Sequence, residues 1–209
     1  MIVVENYPNL TFDPIANTLN GSIAVDTEDL YEISIELSPY PEYFPAVYET
    51  GERIPKKVGR HIYSDTGSCC FTTIARTQIL LKTVISSLVD FMKEIVVPYF
   101  LNNSYYELHG RYFDEEYSHG PIGVVEGYRD ILQLSDDLRI AKTMFDYLKD
   151  GKLNVHHNCY CGSGIILLKC KNGIHDKCYR DFRKINREQI RVDLHTHFYE
   201  HLKQTGMIS

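Results

Sequence analysis

A chain of 209 residues, 44% hydrophobic and 24% charged, can bury a sizeable core as one large domain or as a domain with a small appendage. Its formal net charge of −6 argues against binding nucleic acid through phosphates, which calls for a basic surplus. No apolar run approaches the roughly 20 residues that span a bilayer, and MIVVENYPNL lacks the basic start and apolar body of a signal peptide. The expectation is a cytoplasmic protein, free of membrane and nucleic acid, with its thiols reduced.

In chain order, SIAVD follows Asn20-Gly21, a dipeptide that suits a turn between strands. YEISIEL alternates cleanly, with Tyr31, Ile33, Ile35 and Leu37 on one face and Glu32, Ser34 and Glu36 on the other. Prolines 39, 41 and 45 keep the next connection extended, and AVYET supplies a third strand. The pattern predicts an antiparallel meander over about residues 15–50. Apolar residues from Leu80 to Tyr99 recur at helical spacing and predict a helix over 77–103, kinked or ended by Pro98. Two more helices are predicted over 121–134 and 136–149, stopped by Asp150-Gly151. HHNCYCGSG then opens a region different in kind. The chain therefore reads as an α+β domain over 1–150 and a small cysteine-bearing region with a C-terminal helix over 151–209.

In a reducing compartment six cysteines read first as nucleophiles or metal ligands. Cys69 and Cys70 stand at the end of the loop between the meander and the long helix. A nucleophile there can be exposed while the scaffold behind it stays rigid. A cysteine in such a connection is also commonly a small core residue, so one of the pair is expected to be structural.

The order of pieces resembles the ubiquitin-conjugating enzyme fold: YEISIELSPYPEYFPAVYET, then His61 where that family begins its His-Pro-Asn loop, then Gly67-Ser68-Cys69-Cys70 where it carries its nucleophile. On that register Cys70 is the nucleophile and Cys69 the structural partner. GERIP…RHI, Ser118-His119-Gly120, Glu126-x-Tyr128 and a C-terminal C-x-C-G-S-G are similar to stand-alone bacterial members of the fold. Those members accompany cGAS-like nucleotidyltransferases in cyclic-oligonucleotide-based anti-phage signalling. The likeness covers about residues 18–180.

It implies a transacylase. Cys70 would take an activated C-terminal carbonyl, from a cGAS-like nucleotidyltransferase, as a thioester and yield it to a lysine amine on a target protein. The loop here reads His61-Ile62-Tyr63, without the family's asparagine. The candidates for stabilising the tetrahedral oxyanion are then Tyr63, His61, His119 or backbone N–H groups of 67–70, and His119 can equally deprotonate the amine. The missing asparagine and a short, proline-broken N-terminus also suit the alternative, a catalytically inactive binding module. A cysteine hydrolase pairing Cys70 with His119 is a third reading.

Cys159-x-Cys161-Gly-Ser-Gly and Cys170 resemble the SEC-C zinc-binding motif, whose fourth ligand follows the third directly. Position 171 is lysine here. Cys178 is the expected replacement for its softness towards zinc, with His175, His156 and His157 as alternatives. A structural zinc on Cys159, Cys161, Cys170 and Cys178 follows. His195, His197 and His201 are expected on the solvated face of the C-terminal helix, and Glu126 and Tyr128 as helix-packing residues.

Overall fold

The computed structural model describes residues 2–26, 29–113 and 117–208, which are mixed α+β. The chain divides into two compact units, Met1–Thr72 with Leu80–Glu116, and Thr73–Ile79 with Tyr117–Ser209. Residue 151, where the sequence changes character, lies inside the second unit.

The first unit begins with a short helix, α1 (Ile2–Asn6), and a four-stranded antiparallel sheet in chain order: β1 (Leu10–Asp13), β2 (Thr18–Asp26), β3 (Asp29–Glu36) and β4 (Ala46–Glu49). Alternation on β3 turns Tyr31, Ile33 and Ile35 into the core. The expected turn at Asn20-Gly21 is corrected: both residues lie inside β2, paired to β1 and to β3. The turn comes earlier, over 14–17, where Asp13 Oδ1 accepts from the Ile15 and Ala16 N–H groups at 2.8 and 3.1 Å and Asn17 takes φ 53°. Position 21 requires glycine for another reason. A Cβ there would stand 2.0 Å from the Asn9 carbonyl oxygen.

The helix expected over 77–103 is two. α2 (Ile74–Leu81) stops, the chain turns through 82–87, and helix resumes as α3 (Leu88–Phe91), a π-helical stretch (Met92–Val96) and α4 (Val97–His109). Ser87 restarts it by accepting the Asp90 N–H at 3.1 Å, while Asp90 takes the Ser86 N–H and hydroxyl at 3.0 and 2.6 Å. Pro98 does not end the helix, which runs on to His109. It sits in the first turn after the wider π-helical stretch, where an interior hydrogen bond is already interrupted. Phe100 packs on Tyr31 at 4.6 Å, and the Tyr31 hydroxyl pairs with Ser104 Oγ at 2.9 Å, so the only polar end of this core ring is satisfied.

The second unit is helical: α5 (Pro121–Leu132), α6 (Asp137–Asp150), α7 (Ile174–Phe182), α8 (Arg187–Val192), a π-helical stretch (Asp193–Phe198) and α9 (Tyr199–Gln204). Val125, Tyr128, Ile140, Met144, Phe182 and Phe198 form its core together with Cys159 and Cys170. Asp136 caps the start of α6, and Arg187 donates to the Tyr147 and Leu148 carbonyls at its end. No helix among the described residues is long and apolar enough to cross a membrane.

Candidate functional site

The segment 61–70 is a tight hairpin laid on β4. Ile62 pairs with Cys69 and Ser68 with Tyr48, each as an isolated antiparallel bridge. The Cys70 N–H donates to the His61 carbonyl at 2.7 Å, Cys69 N–H to Val47 at 2.7 Å, and Tyr63 N–H to Ser68 at 2.9 Å. Cys69 and Cys70 are therefore consecutive residues of one arm of this bridged hairpin, where neighbouring side chains turn to opposite faces. Cys69 turns inward, 6% exposed, and burial pushes its thiol up to about 12. Cys70 is only half-buried.

Two further predicted residues join Cys70. His61, in the left-handed region at φ 51°, caps the short helical turn Val58–Arg60. It holds a ring nitrogen within 4.8 Å of the Cys70 sulfur, and its ring packs edge-on against Tyr112 at 5.3 Å. The Tyr99 hydroxyl donates to the His61 carbonyl at 2.9 Å and fixes this corner to α4. Tyr63 is 45% exposed, and burial first, then the neighbouring Cys70 thiol, lifts its phenol well above the usual range. Tyr63 thus places a phenolic O–H, a possible donor, on the Cys70 side of the hairpin.

His119 belongs to the second unit, in the loop before α5. Two carboxylates on α5 pin that loop. Glu126 accepts the Ser118 N–H at 2.7 Å and its hydroxyl at 3.0 Å, and Asp130 accepts the Tyr117 hydroxyl at 2.7 Å. Gly123 permits the close approach, since a Cβ there would lie 1.6 Å from the Ser118 carbonyl oxygen. Glu126 is thus a loop clasp rather than a packing residue. Tyr128 does pack in the core, with its hydroxyl on Asp193 at 2.9 Å. His201 corrects the solvated-face expectation: it is buried and bonds Asp137 Oδ2 at 2.9 Å.

The second cysteine constellation forms a possible metal-binding group of Cys159, Cys161, Cys170 and His175, whose ligand atoms all lie within 4.8 Å of one another. A second hairpin presents the first two: Cys159 N–H bonds the Ile165 carbonyl at 2.8 Å and Gly162 N–H the Cys159 carbonyl at 3.0 Å, with Gly162 at φ 76°. Cys170 ends a short helical turn. Lys171, Asn172 and Gly173 follow, all left-handed, and reverse the chain into α7. Left-handed backbone costs an L-residue about 1–2 kcal/mol, so two such non-glycine residues in succession mark a position held by something else.

That reversal returns His175, at the second position of α7, onto the sulfurs. Its Nδ1 stands 3.2 Å from Cys159 Sγ and 3.3 Å from Cys170 Sγ, and Cys161 Sγ is 3.5 Å from Cys170 Sγ. Ligands at zinc bond lengths of about 2.0–2.3 Å stand roughly 3.5–3.8 Å apart in a tetrahedron, so the donor set fits that ion in chemistry and in size. The expected fourth ligand is corrected accordingly. Cys178 lies outside the group because it is three residues further along α7, a displacement of about 4.5 Å along the axis. His156 and His157 are exposed and outside it as well.

The electrostatics differ from ligand to ligand. Burial raises the Cys161 thiol, but hydrogen bonds from the Ser163 side chain and backbone outweigh it and bring it down to about 7. Burial pushes Cys159 up to about 12, against a backbone N–H from Cys161. Burial and then the Lys171 charge lower His175, keeping its imidazole in the neutral, ligating form; the Gln133 backbone acts the other way. Tyr160 stacks on the His175 ring at 5.0 Å and donates to the Leu132 carbonyl at 2.9 Å, which fixes the ring plane. Compared with known protein families, characterised proteins and solved structures, the chain finds no match.

Proposed function

We propose that this chain is a ubiquitin-conjugating-like cysteine acyltransferase working through Cys70. The reading is supported above all by the bridged hairpin that buries one thiol of the pair and leaves its neighbour half-buried near His61 and Tyr63. The Cys70 thiolate attacks an activated C-terminal carbonyl, the leaving group departs, and a thioester forms. A lysine amine then attacks the same carbon and gives up one proton to solvent. The tetrahedral oxyanion takes a hydrogen bond from the Tyr63 hydroxyl, and collapse expels the thiolate. By resemblance the donor is a cGAS-like nucleotidyltransferase, the acceptor a lysine of a target protein, and the outcome control of anti-phage signalling.

The four-ligand group of the second unit takes zinc in a structural role. Three thiolates and an imidazole fill a tetrahedron and leave no open position for substrate. When bound, the ion supplies the positive charge that stabilises the ionised sulfurs. Cys159, Cys161 and Cys170 then anchor the second hairpin to the start of α7 through His175.

Incubating the purified chain with a cGAS-like nucleotidyltransferase encoded beside it, plus whatever activating enzyme accompanies them, should give a thiol-reducible adduct. Cys70→Ala should abolish it and Cys69→Ala should retain it. Loss with Cys69→Ala alone, or an adduct that survives Cys70→Ala, would overturn the assignment; no adduct with any variant would leave the docking module.

A further inference from the structure

We infer that Cys161 and Cys170 form a peroxide-sensitive pair that discharges the metal centre when it closes to a disulfide. The inference rests on the zinc reading and adds a regulation to it. The two sulfurs are 3.5 Å apart and must approach by about 1.5 Å to reach a disulfide bond length. They have different surroundings. Cys170 is buried at 2% exposure, whereas Cys161 is half-buried on the turn that carries Gly162 and is the group's one ligand residue that is not fully buried. Cys159 is buried. A small oxidant therefore meets Cys161 first, and Cys170 is the sulfur it touches.

Gly162 and Gly164 follow Cys161 at φ 76° and 75°, and Cys170 precedes the left-handed stretch 171–173, so each sulfur stands beside backbone that departs from regular structure. Cys159 and Cys170 both lie against His175 Nδ1, but Cys159 is held in its hairpin on both sides by the Ile165 and Gly162 bonds. The chemistry balances with peroxide as oxidant. The Cys161 thiolate displaces hydroxide from hydrogen peroxide and becomes a sulfenic acid; the Cys170 thiolate then displaces hydroxide from that sulfur. Two thiols and one peroxide give one disulfide and two waters. The centre loses two of its four ligands, and Cys159 with His175 cannot retain the ion alone. A thiol reductant reverses the step.

The test uses the zinc-loaded full chain titrated with hydrogen peroxide, with released zinc read by a chromogenic chelator and disulfides mapped by peptide mass. The expected result is one zinc released per Cys161–Cys170 disulfide, with both reversed by dithiothreitol. Cys161→Ser and Cys170→Ser chains should lack that disulfide, and Cys178→Ser should behave as the parent. Zinc release without this linkage, pairing of Cys161 with Cys178 instead, or a linked chain that still holds its zinc would each overturn the inference. A chain that takes up no zinc at all overturns the metal reading itself, and the inference with it.

Discussion

Tyr31, Ile33, Phe91 and Phe100 fill the first unit around a four-stranded sheet, and its buried cysteine, Cys69, is one small apolar residue among many. In the second unit Cys159 and Cys170 belong to the core as well, but they face each other and a buried histidine across a reversal made of left-handed residues. The same residue type does opposite work in the two places. In a hydrophobic sheet core a thiol costs little and asks for nothing. Gathered with two others, it is a polar group that calls for a positive partner. The first unit is thus expected to stand on packing, and the second partly on a bound ion.

Removing the ion should break this symmetry most. Chelation of the zinc-loaded chain is expected to cost the second unit on the order of 5 kcal/mol. That is less than the about 10–16 kcal/mol of zinc-finger peptides, because Ile140, Phe182 and Phe198 still pack. Hydrogen exchange should accelerate across 158–182 and leave the β2–β3 amides unchanged. Equal acceleration in both regions would show that the ion is not a local tie.

A smaller effect sharpens the contrast on the second unit's polar side. Asp137 is buried and takes Arg129 at 2.8 Å through both oxygens and His201 at 2.9 Å. Burial raises its carboxyl, but Arg129 and then His201 outweigh it and hold it below the usual carboxylate range. A depressed folded value contributes stability that is present above the unfolded value of about 3.9 and is lost as pH falls through the folded value. Asp137→Asn should therefore cost about 2 kcal/mol near neutrality, below the about 3–5 kcal/mol for a fully buried pair because Arg129 is 37% exposed. In urea melts the deficit should shrink as the pH drops below about 4. A deficit that does not vary with pH would assign the cost to packing.

Much of this was readable in the chain. Alternation located β3, and helical spacing placed α5 and α6 within two residues of their ends. Spacing also singled out Cys159, Cys161 and Cys170. The misses have identifiable causes. Asn20-Gly21 has turn chemistry, but Gly21 is required by the Asn9 carbonyl just ahead of β1, a tertiary demand with no local mark. The break at 82–87 hides under a continuous apolar pattern; its cue is Ser86-Ser87 ahead of Asp90. His175 stands in the sequence only as an alternative behind Cys178, because its placement depends on three left-handed residues that spacing does not reveal. The Glu126 clasp on Ser118 spans eight residues, and Gly123 between them was its one visible sign.

The acyl-transfer account is tested most directly by a chemical probe that needs no partner protein. The zinc-loaded chain is exposed to a short peptide thioester, quenched, and the acyl group located by tandem mass spectrometry. Acylation is expected at Cys70 and not at Cys69, as a thioester that hydroxylamine removes, and Tyr63→Phe should slow its transfer to an added amine roughly 10- to 100-fold. An acyl group found on Cys161 or Cys178 while Cys70 stays unmodified would contradict the account.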